Sequence, residues 1–548
     1  MKGHKGRLWI IWTVCCLFLL GCSNKMAEKE AEKQGNNSKQ DQEQVANNVN
    51  KEGFPITKDT LELTMMAPNL GLAEWADMPL IQDYEQKTNI KFSFQTPPQS
   101  EFSTKFNLAF ASGELPDIIY AGGPNTLNDA IEVDYGQQGL LVPLEDYLEE
   151  YAPNFYKLMK ENPEIEKSIT TGEGHIYALP HITKGPTSQW IMGPMWYNGQ
   201  WLEALGVKEL PKTTDEFYDL MVRFRDEDPN ENGEKDEIPI SDVNFGGIRH
   251  WFMPAFGLKG WGIQVKDGRV SYTFAEEGFR GYLEFMNKLY QDKLIDQEIF
   301  SQSVEQKQAK GQANRLGLFQ DWFSYFTTGR SEEEALEDPM YAPLTSSYQE
   351  TPLMPIGPGI KRGSFAITKH NPNIAASLRW IDYFYTEEGF DYLYYGPEGA
   401  YWQWDANKEQ RQLTEEAASQ ENVEEYRGTI TPAYGITVPA LSIPLDPIGE
   451  EVDQTFNDFI QKETEEKILK HGEIIFPLTY LTVEEQNEVT DIIVELETYM
   501  LESEAQFIKG SKPINDETWQ EYLKTMENIG YKRLEEIYQA AYNRWKEV

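Results

Sequence analysis

The sequence predicts an α/β fold built on a mainly parallel, doubly wound sheet. The first observation is an alternation of strand and helix patterns: strand 61–66, helix 78–87, strand 90–94, helix 102–112 and strand 115–120. Such alternation is typical of sheets covered by helices on both faces. The second observation is the length of 548 residues, which exceeds one compact core and favours two or three domains.

In a sheet of this kind, ligands bind beyond the carboxyl ends of the strands. The loops that follow the first and third predicted strands contain Asn69–Trp75 and Tyr120–Asn125. We therefore expect both loops to border a ligand site.

The later patterns continue the alternation of short strands and helices. They are a helix over 144–160 broken at Pro153-Asn154, a turn at Gly172–Gly174 leading to a strand that ends at Pro180, a strand over 192–198, a helix over 200–205, a capped helix from Thr213, and helices over 374–386 and 484–500. The last two have apolar residues at spacings of three and four and are expected to cover the sheet.

The N-terminus has the layout of a secretory signal, in which a basic start precedes an apolar run over 8–21. The run is too short to span a bilayer, which needs about 20 residues. Leu-Leu-Gly-Cys at 19–22 resembles the lipobox of bacterial lipoproteins, which implies removal of residues 1–21 and a diacylglycerol group on Cys22. An ordinary signal peptide with an incidental cysteine is the alternative interpretation.

Residues 22–54 are polar and contain few bulky apolar side chains, so they are predicted to be a flexible linker. A lipid on Cys22 and this linker together predict a body held at the extracellular face of the cell membrane. The membrane contact would be made through the lipid alone, since two or more acyl chains give a lasting anchor.

The charge and the cysteines exclude several functions. With 90 acidic and 49 basic residues, the formal net charge is −41, which repels nucleic acid and anionic lipid headgroups. Cys15 and Cys16 leave with the signal and Cys22 carries lipid, so we expect no disulfide and no free thiol for catalysis or metal binding. The expected state is a monomer that does not bind nucleic acid.

The segment from Asp228 to Glu237 has the spacing of a calcium-binding loop. Side-chain oxygens fall at its positions 1, 3 and 5, Gly233 at position 6 permits a sharp turn, and two acids follow at positions 9 and 10. A standard EF-hand closes with an acid at position 12, so this would be a variant loop. The alternative is a polar turn without an ion, and a bound ion would have a structural role.

Five motifs resemble one family. They are FNLAFASGELPDII at 106–119, Gly174–Pro180, Trp196-Tyr197-Asn198, the loop at 228–237 and the tail at 504–545. Their order, over nearly the whole mature chain, is similar to that of the family 1 extracellular solute-binding proteins of ABC transporters. Within that family the sequence most resembles Gram-positive lipoproteins that serve oligosaccharide importers, a group that includes alginate-oligosaccharide-binding proteins.

The resemblance implies a two-lobed, type II periplasmic-binding-protein-like fold with the ligand cleft between the lobes. It places lobe 1 at 55–143 plus 340–395 and lobe 2 at 144–339 plus 396–548. It also implies that Trp322 stacks on a sugar ring. The Ca²⁺ ligands that it implies are Asp228, Asn230, Asn232, Glu234 through its carbonyl, Asp236 and Glu237.

Other tryptophans are candidates for the same task, because an indole face covers the apolar C–H face of a sugar. Trp75, Trp190, Trp402 and Trp404 lie in predicted loops or strand ends, although any one of them is more often a core residue. Trp402 and Trp404 alternate, so an extended segment would put both on one face. The candidate polar partners for sugar hydroxyls are His181 and Asp321.

The predicted function is the capture of an oligosaccharide, around which the lobes close before delivery to an ABC transporter permease. One alternative is a lipoprotein that binds peptides or serves a sensor. Another is a secreted carbohydrate-active enzyme, which would need two carboxylates about 5–10 Å apart in a cleft. The sequence has no Ser/His/Asp signature, HExxH motif, phosphate loop or cysteine nucleophile, so an enzyme is not expected.

Overall fold

The computed structural model describes residues 48–123, 126–420, 422–445, 448 and 455–547. These residues form two lobes, each with its own large hydrophobic core. The predicted signal peptide, the predicted lipid site Cys22 and most of the predicted linker lie outside the described residues. Within the described ranges, no helix combines the length and the apolar character needed to cross a bilayer.

The strands define the sheets of both lobes. In chain order they are β1 (Leu61–Met66), β2 (Ile90–Gln95), β3 (Ile118–Tyr120), β4 (Ala178–Thr183), β5 (Met195–Tyr197), β6 (Ile238–Ser241), β7 (Ile263–Lys266), β8 (Arg269–Tyr272), β9 (Leu316–Gln320), β10 (Met354–Ile356), β11 (Ile360–Ile367), β12 (Trp402–Trp404), β13 (Arg411–Leu413), β14 (Leu441–Ser442) and β15 (Gly472–Ile474).

The helices cover these sheets. In chain order they are α1 (Pro79–Thr88), α2 (Gln99–Ser112), α3 (Asp129–Gln137), α4 (Glu145–Tyr151), α5 (Pro153–Glu161), α6 (Pro163–Ile169), α7 (Gly199–Ala204), α8 (Thr214–Asp226), α9 (Gly246–Phe252), α10 (Glu277–Gln291), α11 (Val304–Gln312), α12 (Ser324–Thr328), α13 (Glu332–Ala335), α14 (Ile374–Asp382), α15 (Glu387–Tyr395), α16 (Glu415–Ala418), α17 (Val423–Ile430), α18 (Thr455–Lys467), α19 (Val483–Ile508), α20 (Asp516–Ile529) and α21 (Tyr531–Glu547).

Local signals explain where several helices begin and end. Helix α2 ends at Ser112 because Gly113 follows with a φ of 75°, a conformation that glycine adopts without steric cost. Helix α8 begins after Thr213, whose hydroxyl accepts a hydrogen bond from the backbone N–H of Glu216 at 3.1 Å. The helix predicted over 144–160 is two helices, α4 and α5, because Pro153 opens the second one.

Lobe 1 is organised by a six-stranded sheet with the order β14-β4-β11-β3-β1-β2. Strand β1 pairs in parallel with β2 and β3, with Leu61 opposite Ile90 and Met65 opposite Ile118. Strand β11 runs antiparallel to both of its neighbours, β3 and β4. The predicted alternation and the mainly parallel sheet are therefore confirmed, with one reversed strand inserted from far along the chain.

Lobe 2 has a small sheet and a large helical body. Strand β9 lies in the centre of the sheet, antiparallel to β5 and parallel to β6. Three fully buried tryptophans of its core, Trp201, Trp251 and Trp519, come from α7, α9 and α20. Helices from distant parts of the sequence therefore close around this sheet.

The two cores divide the chain differently from the predicted boundaries. Residues 144–183, predicted for lobe 2, belong with lobe 1. Strand β4 pairs with β11 and β14 in the six-stranded sheet, and the helices that precede β4 contribute to the lobe 1 core. The described residues of 396–445 also belong with lobe 1, since β14 pairs with β4 and Arg427 donates to the carbonyl of Tyr394 on α15. Met340 and Met354, predicted for lobe 1, lie in the core of lobe 2.

Two of the segments that join the lobes, after β4 and before β11, cross side by side next to the end of β14. The backbone N–H of Thr183 donates to the carbonyl of Gly359 at 2.8 Å, and that of Lys184 donates to the carbonyl of Ser442 at 2.7 Å. A Cβ atom on Gly359 would lie 2.9 Å from the Thr183 carbonyl oxygen, so this crossing needs a glycine. These bonded crossings form the hinge.

A buried polar contact joins the lobes away from the hinge. Tyr480 precedes Leu481 of the lobe 2 core, and its hydroxyl donates to Oε2 of Glu132 on α3 of lobe 1 at 2.5 Å. The guanidinium of Arg362, on β11, lies 4.2 Å from the centre of the Tyr480 ring and forms an ion pair with Asp129. We call these groups the interlobe cluster.

Candidate functional site

The hinge shows which edges of the two sheets border the cleft. Strand β4 leaves lobe 1 at its carboxyl end, and the chain enters the lobe 2 core at Trp190. The carboxyl ends of β1, β3 and β4 lie at one edge, because β11 runs antiparallel to both β3 and β4. In lobe 2, the antiparallel pairing of β5 with β9 brings Gly193 and Asp321 to the edge next to this crossing.

The cleft edge of lobe 1 contains a polar concavity of about 300 Å³. It is formed by the ends of β1 and β3, the first turn of α2 and a segment near β14. A Cβ atom on Gly122 would lie 3.0 Å from the carbonyl oxygen of Gly363, so the backbone approaches closely there. The polar side chains that line the concavity are Gln99, Ser103, Thr126 and Thr437.

The cleft edge of lobe 2 carries a cluster of aromatic side chains. Trp190 and Trp322 lie nearly parallel, with ring centroids 6.3 Å apart and an angle of 21° between the rings. Trp190 is 6% exposed and Trp322 is 51% exposed, so the buried indole backs the exposed one. Phe323 packs against Trp190, and the 46%-exposed Phe326 packs against Tyr325. We call these five side chains the aromatic platform.

Asp321 holds the loop after β9, which carries every side chain of the platform except Trp190. Its carboxylate accepts hydrogen bonds from the backbone N–H of Trp322 at 2.8 Å and the hydroxyl of Thr327 at 2.7 Å. Its backbone carbonyl accepts a hydrogen bond from the indole N–H of Trp196 at 2.9 Å. The predicted partner for a sugar hydroxyl is therefore already engaged by its own loop.

A glycine permits the close packing beneath this loop. A Cβ atom on Gly193 would lie 2.6 Å from the backbone of Asp321. No sequence pattern marks Gly193 as special, because its partner lies more than a hundred residues away. The pairing of β5 with β9 brings the two together.

His181 is bonded within lobe 1. Its Nδ1 contacts the carbonyl oxygen of Val438 at 2.7 Å, and its Nε2 contacts the hydroxyl of Thr183 at 2.9 Å. Burial lowers the pKa of the imidazole to about 4, so the ring is neutral near pH 7. Both ring nitrogens are occupied, and His181 has no nitrogen free for a sugar.

The structure separates Trp75 from the other candidate tryptophans. Trp75 is 1% exposed, and its ring lies edge-on to that of Tyr120 at 5.6 Å and tilted against that of Phe94 at 6.0 Å. It is a core residue of lobe 1 and presents no face to a ligand. The predicted ligand contact at Trp75 is therefore corrected to a packing role.

Trp402 and Trp404 form a separate patch. They lie on β12 with ring centroids 5.6 Å apart, so they share one strand face as the sequence predicts. The indole N–H of Trp402 donates to the carbonyl of Gly396 at 3.0 Å, and the guanidinium of Arg411 lies 5.3 Å from its ring. Among the described residues, neither ring contacts the aromatic platform.

The predicted calcium loop is folded around the carboxylate of Asp236. The side-chain amides of Asn230 and Asn232 donate to its Oδ1 at 3.2 and 2.9 Å, and Arg315 pairs with its Oδ2 at 2.8 Å. The backbone N–H of Glu234 donates to Oδ1 of Asn232 at 2.7 Å. Both asparagines therefore lie within reach of one carboxylate, and rotation of an amide exchanges its nitrogen for its oxygen.

Two carboxylate oxygens of the same loop lack a partner. Oδ1 of Asp228 and Oε1 of Glu237 are buried and accept no hydrogen bond among the described residues. Burial and the charges of Asp228 and Asp236 raise the pKa of the Glu237 carboxyl. Within the described ranges, no three His, Cys, Asp or Glu side chains are clustered as metal ligands. A cation here would therefore also need amide or carbonyl oxygens, which the loop contains.

Two α/β lobes joined by side-by-side crossings, with an open edge of each sheet at the cleft, define a type II solute-binding protein. The chain belongs to the bacterial extracellular solute-binding protein family, whose profile matches residues 71–389. The family predicted from the sequence motifs is therefore confirmed.

The chain is similar in sequence and in structure to a characterised binding protein. Over 339 residues the chain is 31% identical to the fructooligosaccharide ABC transporter substrate-binding protein FusA of Streptococcus pneumoniae serotype 4. The aligned part covers 60% of this chain and 62% of FusA. The structure of FusA with kestose has a TM-score of 0.66 at 24% identity, and that of a FusA EF-hand mutant with fructo-nystose has 0.65 at 23%. Each comparison covers 89% of this chain and 99% of FusA.

A solved structure of a second protein has a similar fold. It is a protein of Bifidobacterium longum infantis described as an HMO-binding, ABC-transporter-associated solute-binding protein. Its TM-score is 0.71 at 19% identity, over 89% of this chain and 99% of that one. These similarities confirm the predicted two-lobed type II fold.

Proposed function

We propose that this protein is the substrate-binding component of an ABC importer and captures an oligosaccharide between its lobes. The observation that carries the proposal is the half-exposed indole of Trp322, held against the buried Trp190 at the cleft edge. A fixed indole face matches the apolar C–H face of a sugar ring. Family membership and the similarity to FusA, which is named for fructooligosaccharide, support this choice.

The polar wall of lobe 1 supplies the complementary half of the site. Gln99, Ser103, Thr126 and Thr437 carry hydroxyl and amide groups that donate and accept hydrogen bonds, as sugar hydroxyls do. A ligand that contacts both walls binds the closed form better than the open one and so shifts the equilibrium towards closure. The closed form is what a permease would recognise.

Calorimetric titration against a panel of ligands tests this proposal. The panel contains kestose and longer fructooligosaccharides, starch and pectin fragments, alginate oligosaccharides and mixed peptides. We expect at least one oligosaccharide to bind and to be recovered intact by mass spectrometry. Binding of peptides alone would support the peptide-binding alternative, and cleavage of the sugar would support the enzyme.

We also propose a structural Ca²⁺ in the loop from Asp228 to Glu237. The support is the pair of buried, unpartnered carboxylate oxygens together with the two asparagine amides nearby. Six to eight oxygen ligands suit this ion, and the loop offers such a set. EDTA should lower the melting temperature of wild type but not that of Asp228→Asn. An EDTA-insensitive wild type would exclude a structural ion.

We further propose that Cys22 carries a lipid and that residues 22–54 tether the body to the extracellular face of the cell membrane. The support is the Leu-Leu-Gly-Cys sequence at 19–22 and the membership in an extracellular family. Two or more acyl chains are sufficient for a lasting anchor. Mass spectrometry of the mature N-terminus should find a diacylglycerol on Cys22, and Cys22→Ser should release the protein into the medium. An unmodified Cys22 would contradict the anchor.

A further inference from the structure

A buried lysine lies beneath the loop after β9, which carries Trp322. Lys307, on α11, is only 3% exposed. Its ammonium group donates a hydrogen bond to the carbonyl of Gln320, the last residue of β9, and lies 3.7 Å from Oδ2 of Asp321. A buried ammonium group is strongly unfavourable without such partners, so these contacts determine where the side chain stays.

Asp321 transmits this support to the platform. Its two carboxylate oxygens bind the N–H of Trp322 and the hydroxyl of Thr327, which lie at the two ends of the loop. Helix α11 also packs directly on this loop, because a Cβ atom on Gly311 would lie 2.5 Å from the carbonyl oxygen of Thr327. The charge of Lys307 and the close approach at Gly311 therefore act on the same short segment.

The charge of Lys307 also acts on a second carboxylate at the same edge of the sheet. Asp242 follows β6, is buried, and accepts hydrogen bonds from the backbone N–H groups of Val243, Gly247 and Ile248. Burial raises the pKa of Asp242, while these N–H groups and the charge of Lys307 oppose that rise. Lys307 therefore favours the ionised form of the residue that organises the loop after β6.

The loop after β6 and the loop after β9 are also in direct contact. A Cβ atom on Gly247 would lie 2.3 Å from the side chain of Gln320, which directly precedes Asp321. The loop after β6 and the loop after β9 are thus packed at one point, and each is bonded to a carboxylate on which the charge of Lys307 acts, through an ion pair at Asp321 and at longer range at Asp242. A change in that cation is expected to move both.

We propose that Lys307 is a positioning residue for saccharide capture, because its buried ammonium group fixes the two loops at the cleft edge of lobe 2 and so fixes Trp322. The proposal rests on the proposed function of the platform. Lys307 itself is too buried to reach a ligand. Its effect is preorganisation, which lowers the entropic cost of ordering the loop when ligand binds.

Lys307→Met tests the proposal because methionine keeps the length of the side chain and removes its charge. Lys467→Met is the matched control. Lys467 is also a largely buried lysine of lobe 2 that donates to a backbone carbonyl, that of Met340 at 3.0 Å, and pairs with a carboxylate, that of Glu463. Its ammonium group bonds neither of the two cleft-edge loops.

Two readouts are compared in both variants. Hydrogen exchange of the ligand-free protein should be faster over 242–248 and 321–328 in Lys307→Met and unchanged there in Lys467→Met. The dissociation constant for the oligosaccharide that wild type binds best should rise about tenfold in Lys307→Met and change less than about twofold in Lys467→Met.

Each result has a distinct meaning. Wild-type exchange and affinity in Lys307→Met would overturn the positioning role and leave the proposed function intact. A wild type that binds no oligosaccharide would overturn the proposed function, while the exchange measurement would still decide the role of Lys307. If Lys307→Met does not fold, the double variant with Asp321→Asn removes both buried charges. Wild-type exchange over 321–328 in that double variant would overturn the proposal.

Discussion

The cleft walls of the two lobes differ in the chemistry of their side chains. Lobe 1 presents several small polar side chains around the ends of its strands and the first turn of α2, supported by a six-stranded sheet. Lobe 2 presents aromatic side chains on a short loop, supported by the buried pair of Lys307 and Asp321. The loss of one small polar group removes a single hydrogen bond, whereas the loss of the exposed indole removes most of an apolar face. We therefore expect Trp322 in lobe 2 to contribute more to the free energy of binding than any single polar side chain of lobe 1.

The two members of the tryptophan pair should differ strongly in how much each contributes to stability. Trp190→Ala removes a buried ring and should lower the free energy of unfolding by about 3–5 kcal/mol. Chemical denaturation measures this loss. Trp322→Ala serves as the control, because half of that side chain is already exposed and its loss should cost much less stability. Equal losses would mean that Trp322 is a core residue and that no platform faces the cleft.

The second effect concerns affinity. Trp322→Ala should weaken oligosaccharide binding by about 2 kcal/mol, or about thirtyfold, because a central aromatic contact is lost. Trp404→Ala, which removes a 37%-exposed indole from the separate patch on lobe 1, should change affinity less than about twofold. Calorimetric titration compares the two. A larger loss in Trp404→Ala would move the sugar site to the β12–β13 hairpin.

The third effect arises where the lobes meet at the interlobe cluster. Burial raises the pKa of Glu132 to about 8, although Tyr480 and Arg362 oppose the rise. Between its ordinary value of 4.5 and about 8, the folded protein therefore holds a proton that the unfolded chain releases. The free energy of unfolding should fall as pH rises through this window, by at most about 1.4 kcal/mol per pH unit, and level off above it.

Glu132→Gln isolates this contribution because glutamine does not titrate. Denaturation of both proteins across the window should show wild type losing stability relative to the variant as pH rises. A constant difference between the two would mean that Glu132 is ionised in both states. The contact of Glu132 with Tyr480 would then be charged, like the pair of Lys307 and Asp321 in lobe 2.

The smallest effect is expected at the polar wall of lobe 1. Ser103→Ala removes one hydroxyl from the concavity and should weaken oligosaccharide binding by about 1 kcal/mol, or about fivefold. The melting temperature should not change, which separates a lost ligand contact from a loss of folding. A loss as large as that of Trp322→Ala would contradict the contrast between the two walls.

Local elements were predictable because their signals are local. The alternation over Leu61–Met66 matches β1 at both ends, and Gly113 marks the end of α2. The lobe boundaries were not predictable, because β4 and β14 join lobe 1 through strand partners far away in the sequence. No window of sequence contains both members of such a pair.

In the candidate site, too, residue types and their positions were predictable from the sequence, but long-range packing was not. Trp75 and Trp322 each follow a strand in the sequence, yet one is buried against Phe94 and Tyr120 and the other is exposed. Burial depends on what packs around a residue, which spacing does not encode. Lys307 carries no motif, and only its contact with Asp321 suggests a role.

The proposed function places an oligosaccharide between the aromatic platform of lobe 2 and the polar wall of lobe 1. A crystal structure with the oligosaccharide that binds most tightly tests it most directly. We expect a sugar ring within about 4 Å of the indole face of Trp322, with its hydroxyls bonded to the concavity of lobe 1. A ligand seated on the Trp402–Trp404 patch, or outside the cleft altogether, would contradict it.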